Sequence, residues 1–156
     1  MNLNKYTQKA QEGVLGAQRL AEEMNHAQIE PEHLLVTLSE QPEGIVPAVL
    51  RKLEVDPAAI ARQIRSELGR APQAYGGSQP ALSPRVRTVA DKAQAEADRL
   101  KDEFVSTEHL LLAILSEAPR SSAAVRVLQQ HGITKDNVLE ALTSIRGNQQ
   151  IGRAHV

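Results

Sequence analysis

The sequence predicts an all-α protein built from two tandem, pseudo-symmetric four-helix repeats, about eight helices packed as one globular domain. Three observations lead there. Apolar residues recur at helical spacing along most of the chain; Ser, Thr, Asp, Gly and Pro stand where those runs begin and end; and the whole pattern is written twice. No run of strand length alternates apolar with polar residues.

Thr7 opens the first long helix, about residues 7–25, as an N-cap whose hydroxyl can satisfy a free N–H one turn on. Its apolar positions, Ala10, Val14, Ala17, Ala21 and Met24, fall on one stripe. A short helix opens at "IEPEHLLVTLSEQP", beginning at Ile29, a third precedes "EVDP", and Asp56-Pro57 caps and starts a fourth. The first repeat therefore spans about 1–69. The stretch "GRAPQAYGGSQPALSP" is rich in Gly, Pro and Ser and reads as a loop, with the linker at about 70–82.

The pattern restarts at Ser83, a second N-cap, with Pro84 in the first helical position, and runs over about 83–102. Val86, Ala90, Ala93, Ala97 and Leu100 repeat the first stripe at an offset of 76 residues. At the same offset "VSTEHLLLAILSEAP", from Val105, repeats the short helix, so Glu32, His33, Leu34 and Leu35 align with Glu108, His109, Leu110 and Leu111. Small insertions at the turns then bring Leu50 onto Leu128 and Ile64 onto Leu142. Gly132 suits a left-handed stop before the last helix, which Thr134 caps. The second repeat spans about 83–150, and the closing "IGRAHV", 151–156, breaks the pattern and is set apart as a tail left from cloning.

Composition narrows the function. With no cysteine, disulfides, thiolate zinc sites and thiol catalysis are excluded. The net charge is −1 and no basic stripe marks a phosphate-binding face; aromatics are too few for a base-stacking platform. No apolar run reaches membrane-spanning length, and a cytoplasmic location is expected. There is no phosphate-cradling Gly-x(4)-Gly-Lys motif, and the Gly76-Gly77 pair leads to no helix start. There is also no Gly-x-Ser-x-Gly elbow.

His33 and His109, each beside a glutamate, are the sharpest catalytic or metal candidates. A lone histidine per helix is not a zinc pattern, and the expected role is structural, in the first helical turn with a hydrogen bond to a neighbouring loop. His26, His131 and His155 fall near helix ends or in the tail and receive no ligand role, so no catalytic and no metal residue is assigned. Glu32 and Glu108 read as helix-start acids on a solvated face, with acidic anchors for a basic or polar peptide as the alternative. Asp91, Glu96, Asp98, Asp102 and Glu103, interleaved with Lys92, Arg99 and Lys101, read as a solvated mixed-charge face. Leu34, Leu35 and Leu110 to Leu112 read as core. Three consecutive leucines cannot share one helix face, so one of the triplet is expected to line a groove between the repeats.

The stretches "YTQKAQEGVLGAQRLAEEMNHAQIEPEHLL" and "SPRVRTVADKAQAEADRLKDEFVSTEHLLLAIL", with the closing "ALTSIRGNQQ", resemble the Clp amino-terminal domain, the double repeat that precedes the ATPase rings of Clp chaperones. The resemblance covers Met1 to about Gln150, and "MNLNKYTQKAQE" with "IRGN" is most similar to the ClpB disaggregase branch. It implies a non-catalytic domain that engages unfolded or aggregated polypeptide, monomeric in isolation, with ATP and magnesium only in the ATPase domains of a hexameric parent. By position it carries substrate engagement onto Thr7, Asp102 and Glu108. The ClpC branch instead binds phosphorylated arginine or adaptors through paired acids, here Glu32 and Glu108, although the first repeat reads "PEH" where the second reads "TEH". The family's apolar groove falls around Ala90 to Leu100, where this chain is polar. Adaptor docking is thus the second functional expectation.

Overall fold

A computed structural model describes residues 1–74 and 79–154, and in the last helix its side chains are described through residue 147. The Gly76-Gly77 pair within the expected linker, and His155, lie outside the described residues. The first repeat folds as α1 (Gln8–Glu23), α2 (Pro31–Glu40), α3 (Ile45–Lys52) and α4 (Pro57–Leu68); the second as α5 (Pro84–Arg99), α6 (Thr107–Leu115), α7 (Ala123–Gln130) and α8 (Lys135–Ala154). The fold is all-α, as the periodicity requires. The backbone of α8 continues to Ala154, into the segment set apart as a tail.

The expected caps are made. Thr7 Oγ1 accepts the Ala10 N–H at 3.2 Å and Ser83 Oγ the Val86 N–H at 3.1 Å, so both long helices start alike. Asp56 accepts from Ala58 and Thr134 from Asn137 in the same way. The stops are duplicated too. Asn25 and Lys101, equivalent at the 76-residue offset, have φ of 58° and 61°, and Glu54 and Gly132 take φ of 64° and 77° after the third helices. Only the glycine adopts this left-handed geometry without steric cost.

The repeats are not set side by side. Each exchanges contacts with the other at two levels. The segment leading into α1 runs parallel to the segment leading into α6: the Thr7 N–H donates to the Val105 carbonyl at 2.9 Å, and the Val105 N–H to Lys5 at 2.8 Å. The equivalent leaders of α5 and α2 pair as β2 (Ala81–Leu82) and β1 (Gln28–Ile29), with Ile29 opposite Leu82 and the Ser83 N–H donating to the Ile29 carbonyl at 3.1 Å. These two-residue strands were illegible in the sequence because two residues show no alternation. Ala81 and Leu82, in the expected linker, belong to this pairing. At the second level each third helix crosses over, α3 packing on α6 and α8, and α7 on α2 and α4.

The core lies where these crossings meet, around Leu34, Leu35, Leu38, Ile60, Ile64, Leu110, Leu111, Ile114, Leu128 and Ile133. The groove expected beside the leucine triplet is not formed. Leu110, Leu111 and Leu112 are all fully buried, because α6 is packed against α1, α3, α5, α7 and α8 and has no open side.

The duplicated stops yield a prediction. Nothing lies within 4 Å of a Cβ built at Gly132, so Gly132→Ala should cost only the left-handed backbone energy, about 1 kcal/mol. Glu54→Gly should relieve the same strain and raise stability by about 0.5 kcal/mol after the entropy of glycine is offset. Urea denaturation of the two variants measures both, and opposite signs are expected.

Candidate functional site at the starts of the short helices

The histidine of each repeated phrase occupies the third position of its short helix and turns back on the N-cap. His33 Nδ1 accepts the Glu30 N–H at 2.9 Å, and His109 Nδ1 accepts the Ser106 N–H at 2.8 Å. This is a capping box with histidine in the place usually held by Glu or Gln. The role expected of both histidines is thereby given its geometry.

The preceding glutamate occupies the second position and points inward. Glu32 and Glu108 are 5% and 6% exposed, so the solvated face expected for them is wrong. Burying a carboxylate without a partner is costly, and each meets an arginine from elsewhere in the chain. In the second repeat, Arg146 of α8 donates through Nη2 to Glu108 at 2.9 Å and to Asp102 at 2.8 Å. Asp102 also contacts His109 Nε2 at 2.8 Å, and the Ser106 hydroxyl donates to the other Glu108 oxygen. Burial pushes the Asp102 carboxyl up, but the bonds from Arg146 and His109 outweigh it and hold it below its ordinary range. Asp102 lies past the end of α5, after the left-handed Lys101, and its side chain is about 29% exposed. Thr7 reaches this cluster through its bond to Val105, next to the N-cap Ser106, and Phe104 is 46% exposed beside it.

In the first repeat Glu32 is buried to the same degree and held by a different set of donors. Arg85, in the first turn of α5, grips it with two bonds of 3.0 and 2.8 Å and grips Glu117 with two more of 2.9 Å each. The Ala124 N–H at the start of α7 donates to the same Glu32 carboxylate at 3.1 Å. Against the opposing effect of burial, these donors hold the Glu32 carboxyl below its usual range. A cavity of about 310 Å³ opens beside this cluster, lined by Glu32, Arg85, Glu67, Arg120 and Arg126 among others.

Of the four residues singled out in the sequence, the fold brings Thr7, Asp102 and Glu108 to one end of α6 and leaves Glu32 in a separate cluster. The arginines that complete both clusters were missed. Arg85 follows a cap-and-proline start that already explained itself, and Arg146 lies in the "IRGN" motif, whose spacing to Glu108 carries no local signal. The mixed-charge face of α5 is only partly solvated: Glu96 is buried and pairs with Arg99 and Lys135. Among the described residues no group of three or more His, Cys, Asp or Glu is placed to hold a metal ion, and no helix is long and apolar enough to cross a membrane.

The model of the Clp repeat (R) N-terminal domain matches residues 5–131. The chain belongs to this family. It is 35% identical to the chaperone protein ClpB of Nitratidesulfovibrio vulgaris over 99% of its own length and 18% of that relative. The Clp domain here thus spans under a fifth of the curated relatives it matches. In fold it is similar to the Hsp104 N-terminal domain from Candida albicans, with a TM-score of 0.78 at 20% identity over 92% of each chain. It is also similar to the N-domain of ClpV in a complex with a VipB peptide, with a TM-score of 0.72 at 20% identity over 90% of this chain and 86% of that one.

For this Clp domain, Arg85→Ala should cost about 3 kcal/mol, because it leaves the buried Glu32 and the largely buried Glu117 without their counter-charge. Arg85→Lys should recover only part, since an ammonium cannot form two forked pairs. Because the carboxyls of Glu32 and Asp102 are held below their ordinary values of 4.5 and 3.8, their contribution is complete above about pH 5 and is lost as pH falls through the folded values. Denaturation midpoints between about pH 7 and pH 3 should therefore drop more steeply in the parent than in Arg85→Ala.

Proposed function

We propose that this domain, residues 1–150, engages unfolded or aggregated polypeptide for a ClpB-type ATP-dependent disaggregase and passes it to ATPase rings outside this chain. The observation that carries the reading is the asymmetry between the two acid clusters. In the first, both acids that Arg85 grips are largely buried, Glu32 at 7% and Glu117 at 10% side-chain exposure, whereas in the second Asp102 is 29% exposed, with Phe104 exposed and Thr7 alongside. A shallow surface that offers one aromatic ring and one ionic edge suits weak recognition of many sequences. The kinship to ClpB proteins along nearly the whole chain supports the same reading.

On this reading Thr7, Asp102 and Glu108 engage substrate, the chain binds and does not catalyse, and ATP with magnesium is used only by the parent's ATPase domains. The isolated domain is monomeric in the cytoplasm, and six tethered copies in a hexameric parent raise the effective concentration of a weak binder near the pore. The second reading is docking of an adaptor, and the likeness to a ClpV N-domain in complex with a VipB peptide favours it. Its phosphoarginine form has a physical obstacle: both Glu32 and Glu108 already hold an arginine of this chain, which an incoming guanidinium has to displace.

Titration of the isotope-labelled domain with an unfolded, casein-like polypeptide tests the proposal. Shifts should cluster at Thr7, Asp102, Phe104 and Glu108, and Asp102→Asn should weaken binding about 3-fold, the loss of roughly one solvent-exposed charged contact. Shifts confined to the surface of α3 or α4, or no shift near Glu108, would overturn it. Binding only to a folded adaptor selects the second reading.

A further inference from the structure

His26 and Asp102 are equivalent at the 76-residue offset, and each meets the Nε2 of its short helix's histidine at 2.8 Å. The two repeats therefore solve one geometric problem with different chemistry. In the second repeat a carboxylate faces the ring. In the first a second imidazole does, and both rings are buried, at 8% and 1% exposure.

The proton positions of the first pair follow from its bonds. Glu30 donates its N–H to His33 Nδ1, so the neutral ring carries its hydrogen on Nε2 and donates to His26 Nδ1. An added proton has only two places to go. On His33 it lands on Nδ1, against the Glu30 N–H; on His26 it lands on Nδ1, against the His33 Nε2–H. Either way a donor is turned against a donor.

The charged groups around the pair offer little relief. Glu30 lines the same cavity, of about 390 Å³, but its carboxylate lies 4.0 Å from Arg85. Glu32, the neighbour of His33 on α2, is bound to Arg85 of α5, which also binds Glu117 beyond α6. From the end of α4 the cavity wall is Leu68, Ala71 and Pro72, without charge.

We propose that the His26–His33 pair is a proton-sensitive latch on the first repeat. Protonation of either ring breaks it and frees the start of α2, together with the β1–β2 pairing, while Asp102 keeps the equivalent latch of the second repeat closed. Burial first, and then the neighbouring His26, hold the His33 ring at about 4, below the ordinary 6.5. Between those values the opened state binds the proton and the closed state does not. The latch is therefore complete above about pH 6.5 and weakens as pH falls towards 4.

Amide exchange of the intact chain provides the test, with the Glu30 amide reporting the first latch and the Ser106 amide the second. After correction for intrinsic rates, moving from about pH 7 to pH 5 should lower Glu30 protection about 20-fold relative to Ser106. His26→Asp, which gives the first repeat the chemistry of the second, should raise the titration midpoint of the His33 ring by about two pH units and abolish that loss. A constant Glu30-to-Ser106 ratio between the two pH values overturns the latch, and that measurement needs no variant. An unchanged His33 midpoint in a folded His26→Asp chain overturns it as well.

Discussion

The hydrogen bonds from the Thr7 and Ser83 amides to the carbonyls of Val105 and Ile29 join the first helix of each repeat to the short helix of the other. The same two residues supply the side-chain caps of α1 and α5, so one residue closes a helix and crosses between repeats at once. Their placement fixes what stands beside it. The start of α6 is brought to Thr7, and the start of α5 brings Arg85 onto Glu32. With the third helices also crossing over, each repeat covers part of the other's core.

The duplicated phrase then acquires two fates. Its histidine closes the helix in both copies, its leucines fill the core in both, and its glutamate is buried in both. The copies differ in what answers the glutamate. Arg85, Glu117 and the Ala124 N–H make the first cluster an internal tie between repeats, and its value is chiefly in fixing their register, since the charges have to be desolvated to form it. Arg146 spans two acids in the second cluster and leaves one of them at the surface. A structural formula was written twice, and the copies differ in the acid that shares the arginine: Glu117 is largely buried, whereas Asp102 reaches the surface.

Fold was legible because its signals are local. Thr7, Ser83 and Asp56 announce helix starts within a turn, Gly132 announces a stop, and the 76-residue offset makes each of these count twice. The crossing was not legible, because hydrogen bonds between Ala81 and Ala27 or Thr7 and Val105 involve backbone atoms that any residue supplies. For the same reason Leu110 to Leu112 were assigned an open side: three adjacent leucines do not reveal that neighbours from both repeats surround them. At the site, the carboxylates were visible as residue types, but their burial was not. Arg85 and Arg146 lie 53 and 38 residues from their glutamates, and no spacing rule connects residues so far apart.

The central claim is that the two repeats form one cooperative unit locked by the crossed leaders. Native-state hydrogen exchange at the Thr7 and Ser83 amides tests it most directly. Above about pH 7, where the His26–His33 latch is closed, both should exchange only through global unfolding, with the same free energy and the same denaturant dependence as the buried helical amides of Leu35 and Leu111. If either amide exchanges through a smaller opening while those helical amides stay protected, the leaders are ornaments on two independent bundles and the account is wrong.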